Sequence, residues 1–140
     1  MNVYLDASAL VTMFTVDAHR QRLSLWLASV TGRLTLSDWT LTEFSSALAV
    51  GRRIGRLNHA ESEAVEAALE SWLHSEPPAL AVDAVDIRTA RRFIRSTTLP
   101  LRAGDALHLA IASRAGCSIA TFDNAMRRAA TDLGVPAEDL

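Results

Sequence analysis

Four acidic residues stand where an acid can do chemistry. Asp6 and Asp123 follow short apolar runs, Asn2 to Leu5 and Ser118 to Thr121, while Glu43 and Asp105 fall near the starts of helix-like segments. Carboxylates gathered in one place repel one another, and a divalent cation is the simplest remedy. An all-oxygen ligand set suits hard Mg²⁺ or Mn²⁺, whereas softer ions prefer thiolate and imidazole. The chemistry implied is hydrolysis of a phosphodiester, with an ion activating the attacking water and neutralising charge that develops on the phosphoryl oxygens. One ion, or two roughly 3.5–4 Å apart, would serve.

Each acid also has a purely structural use. Aspartate after a strand is a common helix N-cap, Thr40 with Glu43 has the spacing of a capping box, and the helix dipole favours an acid such as Asp105 in a first turn. The conjunction of all four, rather than any one, points to a site. Asp6 and Asp105 are the safest ligands in this reading, and Asp123 can act through a metal-bound water.

The elements that must position these acids follow from periodicity. Strands are predicted at Asn2 to Leu5, near Leu34 to Ser37, at Leu80 to Val82 and at Ser118 to Thr121. Between them lie helical patterns. The first runs from Ser8 to Phe14, and the second, Arg20 to Val30, presents Leu23, Trp26, Leu27 and Val30 on one face. Others run from Thr40 to Gly51, from Asn58 to about His74, from Asp83 or Asp86 to about Arg95, from about Asp105 to Arg114 and from Asn124 to Thr131. Pro77 and Pro78 end one helix, and Gly116 stops another. Alternating strands and helices predict right-handed crossovers and a short, mainly parallel sheet of about four to five strands inside a three-layer α/β/α sandwich. In open parallel sheets, sites form beyond the carboxyl ends of the strands, the edge on which all four acids can converge.

With 140 residues, 49% of them hydrophobic, residues 1–140 are expected to form one domain without disulfides. The net charge of −2 argues against a strongly basic nucleic-acid coat protein. The lone Cys117 is expected to be a buried thiol, consistent with a reducing cytoplasm. No apolar stretch predicts a membrane span or signal peptide. All 14 basic residues are arginine, which disfavours phosphoaspartate domains and haloacid-dehalogenase phosphatases, since both use a lysine beside the phosphorylated aspartate. The four histidines, His19, His59, His74 and His108, lack the spacing of a zinc site.

Four segments, in order along nearly the whole chain, together resemble the PIN domain: Val3-Tyr4-Leu5-Asp6-Ala7-Ser8-Ala9-Leu10, Thr42-Glu43, Asp105-Ala106-Leu107-His108-Leu109-Ala110 and Thr121-Phe122-Asp123. At this length the sequence looks most like the VapC toxins of type II toxin–antitoxin pairs. The resemblance implies a Mg²⁺- or Mn²⁺-dependent endoribonuclease acting on RNA, commonly a homodimer, silenced by a VapB-type antitoxin. It implies Asp6, Glu43, Asp105 and Asp123 as the acidic positions, with Ser8 near the metal.

The supporting residues have two readings each. Arg102 can bind the scissile phosphate or pair with an acid. Ser8 can orient a water or cap a helix. His108, one turn after Asp105, is expected to be a packed, hydrogen-bonded histidine. Arg88, Arg91, Arg92 and Arg95 form a basic stripe suited to phosphates or to plain solvation, and Arg52, Arg53 and Arg56 are read with the same caution. Glu61, Glu63, Glu66 and Glu70 read as a solvated helix face. A different class of function, a non-catalytic PIN-like module that docks an RNA or an antitoxin, is disfavoured because all four acids are present.

Overall fold

A computed structural model describes residues 1–140. Its elements follow in the order β1 (Val3–Leu5), α1 (Ala7–Phe14), α2 (Arg20–Ser29), β2 (Leu34–Thr35), α3 (Asp38–Arg53), α4 (His59–Leu73), α5 (Ala84–Ser96), α6 (Ala103–Arg114), β3 (Ser118–Ala120) and α7 (Asn124–Asp132). The sheet is parallel, in the order β2-β1-β3. β1 is therefore central, and Asp6 leaves its carboxyl end.

The alternation of side chains along the strands divides the core in two. Tyr4 and Ile119 face a cluster with Ala106, Leu109, Met126 and Ala129, from α6 and α7. Val3, Leu5 and Ala120 face the opposite cluster, with Leu10, Leu23, Trp26, Phe44 and Leu69 from α1 to α4. A sheet buried on both sides needs apolar residues at successive positions, as these strands have. The result is the expected three-layer α/β/α sandwich.

The sheet has three strands rather than four to five. The segment predicted as a strand at Leu80 to Val82 makes only a bridge, in which Leu80 N–H donates to the Leu36 carbonyl at 2.9 Å and Asp38 N–H to the Leu80 carbonyl at 3.0 Å. Pro77 and Pro78 precede it and lack donors, and Asp83 already caps α5, so no ladder can extend. Ala137 similarly bridges to Ile119.

The start of α3 also differs from expectation. Ser37, not Thr40, is the N-cap: its hydroxyl accepts from Thr40 N–H, and the Thr40 hydroxyl accepts from Ser37 N–H. Glu43 consequently sits in the second turn, free of capping. α6 is buried on every side from Ala106 to Ala112. It ends at Gly116, where a left-handed backbone, which costs glycine nothing, closes the helix. The φ there is 65, and Cys117 N–H reaches back to the Ala112 carbonyl at 2.9 Å. Cys117 is buried, and burial pushes its thiol up, so it remains a neutral packing group. No helix is long and apolar enough to cross a membrane.

Candidate functional site

Asp6 and Asp123 are both the N-caps expected of them, and both have an oxygen left over. Asp6 Oδ1 accepts from Ala9 N–H at 2.9 Å and from the Ser8 hydroxyl at 2.7 Å, while Oδ2 accepts from the Thr121 hydroxyl at 2.6 Å. Asp123 Oδ1 accepts from Ala125 and Met126 N–H, at 2.8 and 3.0 Å, and Oδ2 faces Arg102 Nη2 at 3.5 Å. Capping and site duty thus coexist, because a carboxylate has two oxygens.

Thr121 joins the two acids. Its hydroxyl donates to Asp6 and accepts from Asp123 N–H at 3.0 Å. Ser8 makes a second link, accepting from Phe122 N–H at 2.9 Å. Ser8 is therefore no helix cap; it fastens Asp6 to the chain that leaves β3. Adjacent parallel strands put their carboxyl ends side by side, so the two turns meet by topology.

α6 brings the third acid. Arg102 donates from Nε to Asp105 Oδ2 at 3.2 Å, so its guanidinium stands between Asp105 and Asp123. Burial pushes Asp105 up, Arg102 pulls it down by charge and hydrogen bond, and the neighbouring Asp123 raises it again; the balance is upward. Asp6, 2% exposed, is also pushed up by burial, against hydrogen bonds from Thr121, Ala9 and Ser8.

Glu43 arrives on α3 and is gripped from behind. His108 Nε2 lies 2.6 Å from Glu43 Oε2, and His108 Nδ1 lies 2.8 Å from the Tyr4 hydroxyl, which is 2.7 Å from Ser37 Oγ. The proton count closes with a neutral imidazole. A carboxylate only accepts, so Nε2 carries the proton; Nδ1 then accepts from Tyr4, whose oxygen accepts from Ser37. Burial holds the Tyr4 phenol well above its usual range, so its proton stays available. Glu43 Oε1 makes no hydrogen bond within the chain, and a Cβ on Gly104 would come within 3.0 Å of it.

His108 is thus the packed, hydrogen-bonded histidine expected. Tyr4 and Ser37 behind it, and Thr121 between the aspartates, are given no role by the sequence, and Thr40 is expected there only as a helix cap. A tyrosine in an otherwise aliphatic buried strand is the signal for the first, since its hydroxyl requires a partner. Arg88, Arg91, Arg92 and Arg95 are exposed on α5, and only Arg91 and Arg95 line a groove of about 410 Å³, with Trp39, Gly104 and Leu107.

The acids line one edge without closing into a ready-made cluster of three metal-ligating side chains. Even so, the donors fit a hard cation. All are carboxylate oxygens, and Asp6 and Asp105 are both shifted in the direction that added positive charge would relieve. Asp6, Asp105 and Asp123 are the residues that could hold such an ion.

The family profile of the PIN domain matches residues 3–132. No curated protein sequence matches the chain. Among solved structures, FitAcB from Neisseria gonorrhoeae is 21% identical, with a TM-score of 0.76 over 98% of this chain and 96% of that one. Mycobacterium tuberculosis VapC20, described as a sarcin-ricin loop cleaving toxin, is 20% identical, with a TM-score of 0.71 over 91% and 95%. VapBC2 from Rickettsia felis, bound to a promoter DNA fragment, gives 17% identity and a TM-score of 0.68 over 99% and 98%.

Proposed function

The chain belongs to the PIN-domain family, and from that premise we propose that it is a metal-dependent endoribonuclease, the toxin of a VapBC-type toxin–antitoxin pair. The observation that carries the reading is the shared edge of Asp6, Asp105 and Asp123, two of them raised by burial and all offering oxygen only. Mg²⁺ or Mn²⁺, when bound, supplies the positive charge that polarises the phosphoryl group and activates water.

The chain's own groups do the rest. Thr121 and Ser8 fix the Asp6 carboxylate by hydrogen bonds of 2.6 Å and 2.7 Å, so it need not reorganise during the reaction. Glu43, fixed at Oε2, keeps Oε1 to take a proton from an attacking water. Arg102, with an 82% exposed side chain, is free to turn from its carboxylate partners to the scissile phosphate. Support for the toxin role comes from the solved structures of like fold, including one described as a sarcin-ricin loop cleaving toxin and one as VapBC2 bound to promoter DNA. A VapB-type antitoxin and a second copy of the chain are the proposed partners. The exposed apolar residues Val50 on α3, Ile54 just beyond its end, and Ile87 and Ile94 on α5 are surfaces such partners would cover.

The test is to sequence RNA ends after brief induction, alongside purified, partner-free protein incubated with RNA in Mg²⁺ or Mn²⁺. New ends in both are expected. Partner-free protein that binds neither ion and cuts no RNA would sink the reading. His108 provides a finer check. His108→Asn withdraws the donor from Glu43 and should lower kcat about 10–100-fold, the usual scale for a group that orients an active-site ligand. His108→Gln, whose amide can still reach Glu43, should recover much of that loss.

A further inference from the structure

A second pocket opens beside the carboxylates, toward α2. It encloses about 410 Å³, and its polar lining is Ser8, Thr12, Asp17, His19 and Asp123, with Phe122 as the aromatic wall. Ser8 and Asp123 belong to the proposed active site, so whatever occupies this pocket sits next to the reacting groups. The volume lies within the range of small-molecule sites.

Three features define what fits. First, the His19 ring lies nearly parallel to Phe122, at 15° and 4.6 Å between centroids. Phe122 is half-buried against the core, whereas His19 is exposed, so the pocket is bordered by an imidazole ring backed by an anchored Phe122. Second, Asp17 is locked in place: Oδ2 accepts from the Thr12 hydroxyl at 2.7 Å and Oδ1 from His19 N–H at 2.7 Å. Third, Asp17 and Asp123 put carboxylates on two sides of the space. Asp123 belongs to the cation-binding edge, whereas Asp17, on the far side, repels a phosphate and keeps lone pairs to accept from N–H donors. A flat aromatic group with adjacent N–H donors satisfies all three conditions.

We propose that this pocket is a subsite for one nucleobase next to the scissile phosphate, with the base stacked on His19 and its N–H edge turned toward Asp17. The inference rests on the ribonuclease reading above and adds a preference to it. Guanine presents a ring N–H beside an amino group, a match for a carboxylate. Uracil presents one N–H between two carbonyls, which carboxylates oppose. The substrate is therefore polarised: phosphate on the Arg102 side, base on the His19 side. Stacking on an aromatic platform is a recurrent way of holding a splayed single-stranded base.

The experiment measures KM and kcat on short oligoribonucleotides that differ only by guanine or uracil beside the cut, and, separately, saturation transfer by NMR from the protein to free guanosine and uridine. His19→Ala should raise KM for the guanine substrate about tenfold, the scale of one base–aromatic stack, and His19→Phe should restore it. Asp17→Asn should bring the guanine-to-uracil ratio toward one. Unchanged KM and unchanged base ratio in His19→Ala would overturn the subsite and leave the stack as a fastening between the α1–α2 turn and the segment that follows β3. The nucleoside measurement needs no cleavage. Wild-type protein that cuts no RNA would therefore fail the ribonuclease reading alone, whereas guanosine contact weakened by His19→Ala would still support the subsite.

Discussion

Asp6→Asn is expected to reduce RNA cleavage by about a thousandfold or more, the scale on which removal of a central active-site charge operates, while leaving the fold intact and slightly stabilised. An amide oxygen can still accept from Ser8 and Ala9, so α1 keeps its cap. What disappears is negative charge, and with it affinity for a hard cation. The stability change has a definite sign. Burial raises the Asp6 carboxyl above its unfolded value. A raised carboxyl contributes stability fully below the unfolded pKa, and that contribution is lost as pH rises through the folded one. At neutral pH the wild type therefore bears the cost of a buried carboxylate that the amide avoids. Thermal unfolding without divalent ions should give the variant the higher Tm at pH 7, with the gap closing below about pH 4. Adding Mg²⁺ or Mn²⁺ should raise the Tm of the wild type and not of the variant. Equal cleavage by the two proteins would remove Asp6 from the site.

The legibility of this chain divides along physical lines. Periodicity and punctuation locate the helices, because caps, prolines and Gly116 act locally. The count of strands is harder. Leu80 to Val82 has strand-like residues, but whether a ladder extends depends on donors that Pro77 and Pro78 lack and on where α5 begins. The cap of α3 falls one turn earlier than expected because Ser37 and Thr40 are equally good caps in isolation; in the fold they are the two halves of one capping box, and the buried Tyr4 hydroxyl engages both, 2.7 Å from Ser37 and 3.0 Å from Thr40. The acids are visible as residue types at element starts. Their partners are not: Thr121 reaches Asp6 across 115 residues, and Tyr4 reaches His108 across 104. Such pairs arise from the juxtaposition of β1 with β3 and α6, which no local window contains.

Replacement of Arg114 by methionine is expected to cost about 2 kcal/mol of stability, because it strands the buried Asp86 carboxylate, an effect moderated by the solvent that reaches the partly exposed guanidinium, with little effect on turnover by the molecules that remain folded. Asp86 is 1% exposed on the inner side of α5. Arg114, at the end of α6, grips both of its oxygens at 2.7 and 2.9 Å and also donates to the Ala81 carbonyl at 2.8 Å. Burial alone would push the Asp86 carboxyl up. The Arg114 hydrogen bonds, Asp83 N–H and the guanidinium charge outweigh it and hold the group below the ordinary range. A lowered carboxyl contributes stability above the unfolded pKa and loses it as pH falls through the folded one. The wild type should therefore lose this contribution in acid, and the gap to Arg114→Met should narrow there, once the stranded carboxyl is protonated. Urea unfolding at pH 7 and in acid measures both. Adding Asp86→Asn to Arg114→Met should recover part of the loss at pH 7, because the amide removes the unpaired charge while its oxygen can still accept from Asp83 N–H. Asp105 lies on the same helix as Arg114, more than two turns nearer its start. The clamp thus acts on the docking of α6 as a whole, and a variant that lost turnover in proportion to folded protein would assign Arg114 to the scaffold that presents Asp105 and His108.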